Sequence, residues 1–373
     1  MTRTDRLRYE VADELENGIL RYWLGVQEWP GVILHARVVW AFSAAYAVLH
    51  KPEYLQMATI AKDSLLAHYF DSENGGVYWN AGEAGETLDD KKQLYAQGFA
   101  IYGLSEYYKV TRDPKALATA AALFQVVEDR FADPVHGGYI EALARDFTPL
   151  ADMSLSAHDI NADKTMNSHL HIMEAYANLY QVWPDPTLKE ALVRLIDLTC
   201  NRIMGPDGHL QLYFRRDWTV LPGAVSYGHD IETSWLLLEC AFATQDLDVV
   251  TRVRPFAAAL GRAGNEGLLP DGSMRYEKLP DGSFDDSRQW WVQAETVVGN
   301  LWLWKYHVDD AAADRALAAW AYIRDHLVDR EGGEWFWAIL PDGKPDLSQP
   351  KAGFWKCPYH NSRMCLEILK LFE

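Results

Sequence analysis

The chain has 373 residues, 49% of them hydrophobic and 24% charged, enough apolar material for a large core. Its net charge of −18 repels a phosphate backbone and excludes nucleic acid and anionic membrane surfaces as partners. Residues 1–10 are charged and polar with no apolar stretch of a signal peptide, and no uninterrupted apolar run reaches membrane-spanning length.

In chain order, apolar residues recur at helical spacing over 6–24, 37–49, 54–69, 91–109, 114–131, 164–182, 186–203, 231–242, 249–260, 289–306, 311–327 and 357–372. Breaks such as Lys51-Pro52, Thr111-Arg112-Asp113 and Trp183-Pro184-Asp185 separate neighbours, and the prolines at 184 and 186 bar a continuous helix there. Gly-rich turns beginning at Asn74, His136, Asp207, Asp271 and Gly332, each followed by a short extended piece, recur roughly every 60 to 70 residues. About twelve helices in six hairpins close most simply into an all-α (α/α)6 barrel whose inner helices share a central pocket. No Ser/Gly linker divides the chain, so residues 1–373 read as a single barrel domain. The four cysteines, Cys200, Cys240, Cys357 and Cys365, lack CxxC spacing and read as free thiols of a reducing cytoplasm.

Chemistry concentrates at the starts of alternate helices. A lone Arg37 sits in the apolar run Val38-Val39-Trp40, where a buried guanidinium needs a partner; a salt bridge is the structural reading. Asn167 and His171 are four apart and share a helix face. His169 diverges from His171, which makes them a poor chelating pair; His169 reads as a packing residue and no metal site is expected. Ser226 to Glu232 opens the next inner helix. His229 and Glu232 project to one side, a base beside an orienting carboxylate. Read in isolation, the same stretch is a cap made by Ser226 or Asp230. Trp291 and Glu295 share a face of a further helix, either a packing pair or a functional one. Pro358 suits the first turn of the last helix and sets His360 near its start. Two histidines at two helix starts of one toroid can face a pocket from opposite sides, as two-base proton transfer requires. The 15 Trp, 19 Tyr and 13 Phe are a large aromatic complement. Trp290, Trp291, Trp335, Trp337 and Trp355 lie in Gly-rich or polar stretches, and flat aromatic faces suit the C–H faces of sugar rings. No GxSxG elbow, P-loop or GxGxxG before a helix is present.

These segments resemble the N-acylglucosamine 2-epimerase superfamily over nearly the whole chain, most closely its cellobiose 2-epimerase branch. The motifs are Arg37-Val38-Val39-Trp40 with Phe42-Ser43, Lys164-Thr165-Met166-Asn167 with Leu170-His171, Ser226 to Glu232, Trp290 to Glu295, and Trp355-Lys356-Cys357-Pro358-Tyr359-His360-Asn361. Gly98 departs from the family's more usual Ala. The resemblance implies an (α/α)6 barrel that inverts C2 of a reducing-end aldose, cellobiose or a related β-1,4 disaccharide, without a cofactor. It implies His229 and His360 as the acid/base pair, with His171 in a supporting catalytic place. Arg37, Tyr95, Asn167 and Glu232 are implied to hold substrate, and Trp291 and Trp355 to stack on sugar. A mannose/glucose 2-epimerase or aldose–ketose isomerase is the alternative, and a glycoside hydrolase using Glu232 and Glu295 the more distant one. The expected partner is a small sugar; oligomeric state is not legible.

Overall fold

The computed structural model describes residues 2–27, 29–82, 85–156 and 159–372. Among them run twelve helices. The first, α1, runs Arg3–Asp13, passes through a π-helical stretch Glu14–Leu20 and ends as Arg21–Leu24. Then come α2 (Gly31–Leu49), α3 (Pro52–His68), α4 (Leu94–Thr111) and α5 (Pro114–Val126, continued by Val127–Phe131). Next are α6 (Met166–Tyr180), α7 (Pro186–Leu198, continued by Thr199–Ile203), α8 (Tyr227–Ala243) and α9 (Leu247–Gly264). The chain closes with α10 (Trp290–His307), α11 (Asp310–Tyr322, continued by Ile323–Leu327) and α12 (His360–Leu371).

The even-numbered helices form the inner ring. Each packs on the next, and α12 returns to α2, so the ring closes. The burial pattern follows the layer. Outer α7 buries Leu188, Ala191, Leu192, Leu195 and Ile196, one stripe at helical spacing. Inner α4 and α10 are buried on every face over most of their length, as a helix between a core and an outer layer must be. Outer helices carry strong start signals: Pro52, Pro114 and Pro186 stand at first positions, where a missing N–H costs nothing. Asp113, Asp185 and Asp246 accept backbone N–H groups as caps.

α2 has the length and mean hydropathy, 1.7, of a membrane span. Its apolar faces are covered by the ring, and His35, Arg37 and Ser43 interrupt it. That explains why no uninterrupted apolar run marks it in the sequence.

All five Gly-rich turns are present and each is closed by an antiparallel bridge, from Phe70 with Val77 to Val328 with Trp335. Two-residue strands lead into four inner helices, at Lys92–Gln93, Lys164–Thr165, Val225–Ser226 and Arg288–Gln289. Each pairs with a strand from the following connection. Buried lysines brace these joints. Lys92 Nζ lies 2.9 Å from Asp71 and donates to Gly75 O, and Lys164 repeats this on Asp133 and Gly137 O.

Helix starts differ from the sequence reading where tertiary contacts decide. α2 begins at Gly31 rather than 37, because Gly31 takes φ +77° beneath the Phe354 ring, which a Cβ would overlap. α12 begins at His360 rather than 357, leaving Pro358 ahead of the helix instead of in its first turn. Lys356 Nζ, 2.7 Å from buried Glu334, holds the preceding segment out of helical register. Gly98 lets α4 approach α6: a Cβ there would sit 3.0 Å from Ile172. The four cysteines are buried free thiols.

Candidate active site

The strands before the inner helices deliver their N-termini to one end of the ring. There a cavity of about 860 Å³ opens, within the usual range of small-molecule sites. Arg37, Tyr95, Asn167, His171, His229, Glu232, Trp291, Trp355 and His360 all line it. Every site residue expected from the sequence is therefore brought to one place. Buried Arg37, His171 and His360 mark its floor and exposed Gln349 its mouth.

The three histidines are held differently. His360 Nδ1 is 2.7 Å from Glu295 Oε1, and His171 Nδ1 is 2.9 Å from Glu174 Oε2. His229 Nδ1 instead meets Ser226 Oγ at 2.8 Å. This corrects the expected pairing of His229 with Glu232. The carboxylate one turn along α8 turns to Arg363, and the hydroxyl before the helix serves the imidazole. It also removes the capping reading. Ser226 makes no side-chain cap, and Asp230 accepts from Leu210 N and His209 Nδ1. His169 is the packing residue expected, with Nδ1 on Thr165 O and Nε2 accepting from Tyr139 N. Burial lowers His229 to about 3 and pushes His171 down. Burial, with Arg363 and Arg37 beside it, holds His360 well below the usual histidine range. All three imidazoles are thus neutral near neutral pH.

Arg37 departs from the salt-bridge reading. Its Nη2 donates to Tyr95 Oη at 2.6 Å, and its guanidinium lies over the rings of Phe99 (4.2 Å) and Tyr359 (4.8 Å). No carboxylate pairs with it among the described residues. The positive charge at the cavity floor stays unneutralised.

Beneath the floor, Arg363 gathers the carboxylates. Its Nη1 is 2.5 Å from Glu174 Oε1, and its Nη2 is 2.5 Å from Glu232 Oε1 and 2.7 Å from Glu295 Oε1. Tyr359 Oη donates to Glu174 and Trp235 Nε1 to Glu295. Glu232, Glu295 and His360 bring ligand-type atoms within 4.8 Å of one another, and Arg363 places its positive charge among them, on Glu232 Oε1 and Glu295 Oε1. Burial, and then the nearby Glu295, raise Glu232 to about 8. Arg363, Glu174 and Tyr359 carry no site role in the reading of the sequence. The available signal was spacing: Glu174 follows His171 by three, and Arg363 follows His360 by three.

Four polar atoms of cavity-lining residues, Arg37 Nε, Asn167 Oδ1, Glu232 Oε2 and Trp290 Nε1, have no partner among the described residues. Buried polar atoms without partners are costly, and convergent ones suit a hydroxyl-rich ligand. Trp290, Trp291, Trp337 and Trp355 supply flat walls, whereas Trp335 is fully buried and donates to Glu14.

Residues 27–362 match the family model of N-acylglucosamine 2-epimerase (GlcNAc 2-epimerase). The chain belongs to the N-acylglucosamine 2-epimerase family. This epimerase is 46% identical to a cellobiose 2-epimerase of Bacteroides fragilis, over 97% of its own length and 98% of the relative's. It superposes on the cellobiose 2-epimerase of Bacillus thermoamylovorans with a TM-score of 0.93, at 36% identity, covering 98% and 100% of the two chains. Against that of Spirochaeta thermophila the TM-score is 0.90 at 38% identity, with 99% and 98% covered. The fold is the expected (α/α)6 barrel, and the chain is a carbohydrate 2-epimerase acting on a small sugar.

Proposed function

We propose that the epimerase inverts C2 of the reducing-end aldose of cellobiose and related β-1,4 disaccharides, using His229 and His360 as its two bases. The observation that carries this is their placement: both line one cavity and both pack on the Trp291 indole, with ring centroids 4.7 and 5.6 Å away.

C2–H is acidic only when the ring is open and C1 is an aldehyde. For ring opening one histidine enters as the imidazolium and gives its proton to the ring oxygen, while the other, neutral histidine takes the C1 hydroxyl proton, which leaves the first neutral and the second carrying the proton it later returns. A neutral imidazole then removes the C2 proton to give an enediolate. Unpaired Arg37, with Asn167, supplies positive charge and donors where oxyanion charge develops. Rotation about C2–C3 turns the other face of C2 toward the second histidine, which returns a proton. His171, paired with Glu174 beside Tyr95, supports this floor. Protons balance and no redox partner enters. Tyr213, Tyr276 and Trp337 also line the cavity, whose volume of about 860 Å³ gives room suited to a second sugar ring.

A hydrolase would place carboxylates on either side of the scissile bond. Glu232 and Glu295 instead accept from the same Arg363 nitrogen and stand side by side.

The test is incubation with cellobiose, mannobiose and mannose in deuterium oxide. The expected product is the C2 epimer of a disaccharide labelled at C2, absent for His229→Ala and His360→Ala. Preferred turnover of mannose, a ketose as main product, or released glucose would replace this reading with a monosaccharide epimerase, an isomerase or a hydrolase.

A further inference from the structure

Two histidine–carboxylate pairs of the cavity floor converge on one guanidinium. Glu174 Oε2 serves His171 while its Oε1 takes Arg363 Nη1. Glu295 Oε1 takes both His360 Nδ1 and Arg363 Nη2. Arg363 is 1% exposed and itself touches no part of the cavity.

We propose that Arg363 is a positioning residue: it keeps Glu174 and Glu295 as ionised acceptors, and so fixes His171 and His360 with the proton on Nδ1 and Nε2 as the free basic nitrogen.

The donor and acceptor inventory supports this. Arginine and indole N–H groups only donate. Glu295 therefore accepts from Arg363 and from Trp235 Nε1, and His360 is the hydrogen-bond partner among the described residues that could accept a proton from it. Three carboxylates crowded in a dry site cannot all stay ionised without a cation. Loss of the guanidinium would therefore place a proton on Glu295. A protonated Glu295 donates to His360 Nδ1, which moves the imidazole proton to Nε2 and turns a base into an acid. The same holds for Glu174 and His171. Glu232, which shares Nη2 but leaves Oε2 unpartnered, is the member of the cluster able to hold a proton without disturbing a histidine. The fork of Arg363 reaches carboxylates on α6, α8 and α10 at once, which the single nitrogen of a lysine cannot.

The inference rests on His360 acting as a base, but its readout does not. Nitrogen-15 NMR of histidine-labelled protein, assigned with His171→Gln and His360→Gln, reports each neutral tautomer directly. The wild-type enzyme is expected to show Nδ1–H at both residues, and Arg363→Gln to move His360 to Nε2–H. In the same variant kcat is expected to fall roughly 100-fold or more, the scale of lost acid–base catalysis, with KM little changed. Arg363→Lys is expected to restore part of the Nδ1–H signal but not full kcat. An Nε2–H tautomer at His360 in the wild type overturns the proposal, whether or not the variants fold. So does an unchanged tautomer in folded Arg363→Gln. An Nδ1–H signal alongside full turnover by His360→Gln would instead sink the two-histidine mechanism and leave this role of Arg363 standing.

Discussion

His229 and His360 share one aromatic neighbour: the Trp291 ring is 4.7 Å from the first imidazole and 5.6 Å from the second. Three inner helices, α8, α10 and α12, meet through this contact. The spacing of the two bases therefore depends on where the indole sits.

Gly228 sets that position. A Cβ there would fall 2.7 Å from Trp291 and 2.8 Å from Val292. Gly228→Ala is expected to cost about 1–3 kcal/mol through overpacking, and to lower kcat because the indole must move. Thermal unfolding and steady-state kinetics on cellobiose check both. Wild-type stability and kcat in this variant would contradict the close contact.

Ser226 is the only side chain that orients His229 through a ring nitrogen among the described residues. Ser226→Ala removes one neutral hydrogen bond of about 1 kcal/mol, so kcat is expected to fall roughly fivefold to tenfold. His171 and His360, held by carboxylates, keep their orientation. Unchanged exchange of the C2 proton into solvent would argue that His229 needs no such partner.

Burial lowers all three site histidines below the ordinary 6.5. Their basic forms persist as pH falls through 6.5. The acid limb of kcat/KM is therefore expected to lie below 6.5, measured with the free enzyme's substrate-limited rates. A midpoint at or above 6.5 would show that the base is not one of these imidazoles.

Stability responds to pH through two opposed sets. His229 is lowered to about 3, and His35 and His169 to about 4, all by burial. Below 6.5 the unfolded chain takes up protons that these native histidines refuse, so stability falls as pH drops from 6.5 toward 4. Glu14 and Glu141 are raised to about 7 by burial. The native state holds protons there that the unfolded chain releases above 4.5, so their contribution is lost as pH rises from 4.5 through 7. A melting-temperature maximum between these limbs is expected, with the steeper loss on the acid side if the three histidines dominate. A monotonic rise of melting temperature from pH 4 to 9 would exclude the carboxylate part.

Lys164 is fully buried with Asp133 and donates also to Gly137 O and Arg216 O. Lys164→Met leaves the buried Asp133 carboxylate with Arg216 Nε, 3.3 Å away, as its remaining charged partner and is expected to cost about 3 kcal/mol. The double variant Lys164→Met with Asp133→Asn should recover part of this. Urea unfolding of the pair measures it, and additive losses would deny that the two residues act together.

Periodicity, proline breaks and recurring Gly-rich turns determined the twelve-helix ring, because each is a local property of the chain. The cavity residues were legible as polar groups at inner-helix starts: Asn167 and His171, His229 and Glu232, Trp291 and His360. Only the tertiary structure decided which partner each took. Ser226 rather than Glu232 orients His229, because hydrogen-bond choice depends on what other helices bring within 3 Å. Arg363 joins carboxylates from three helices far apart in sequence, and no spacing along one helix reveals such a meeting. Local pattern positions a side chain on its own element; ring closure determines what faces it.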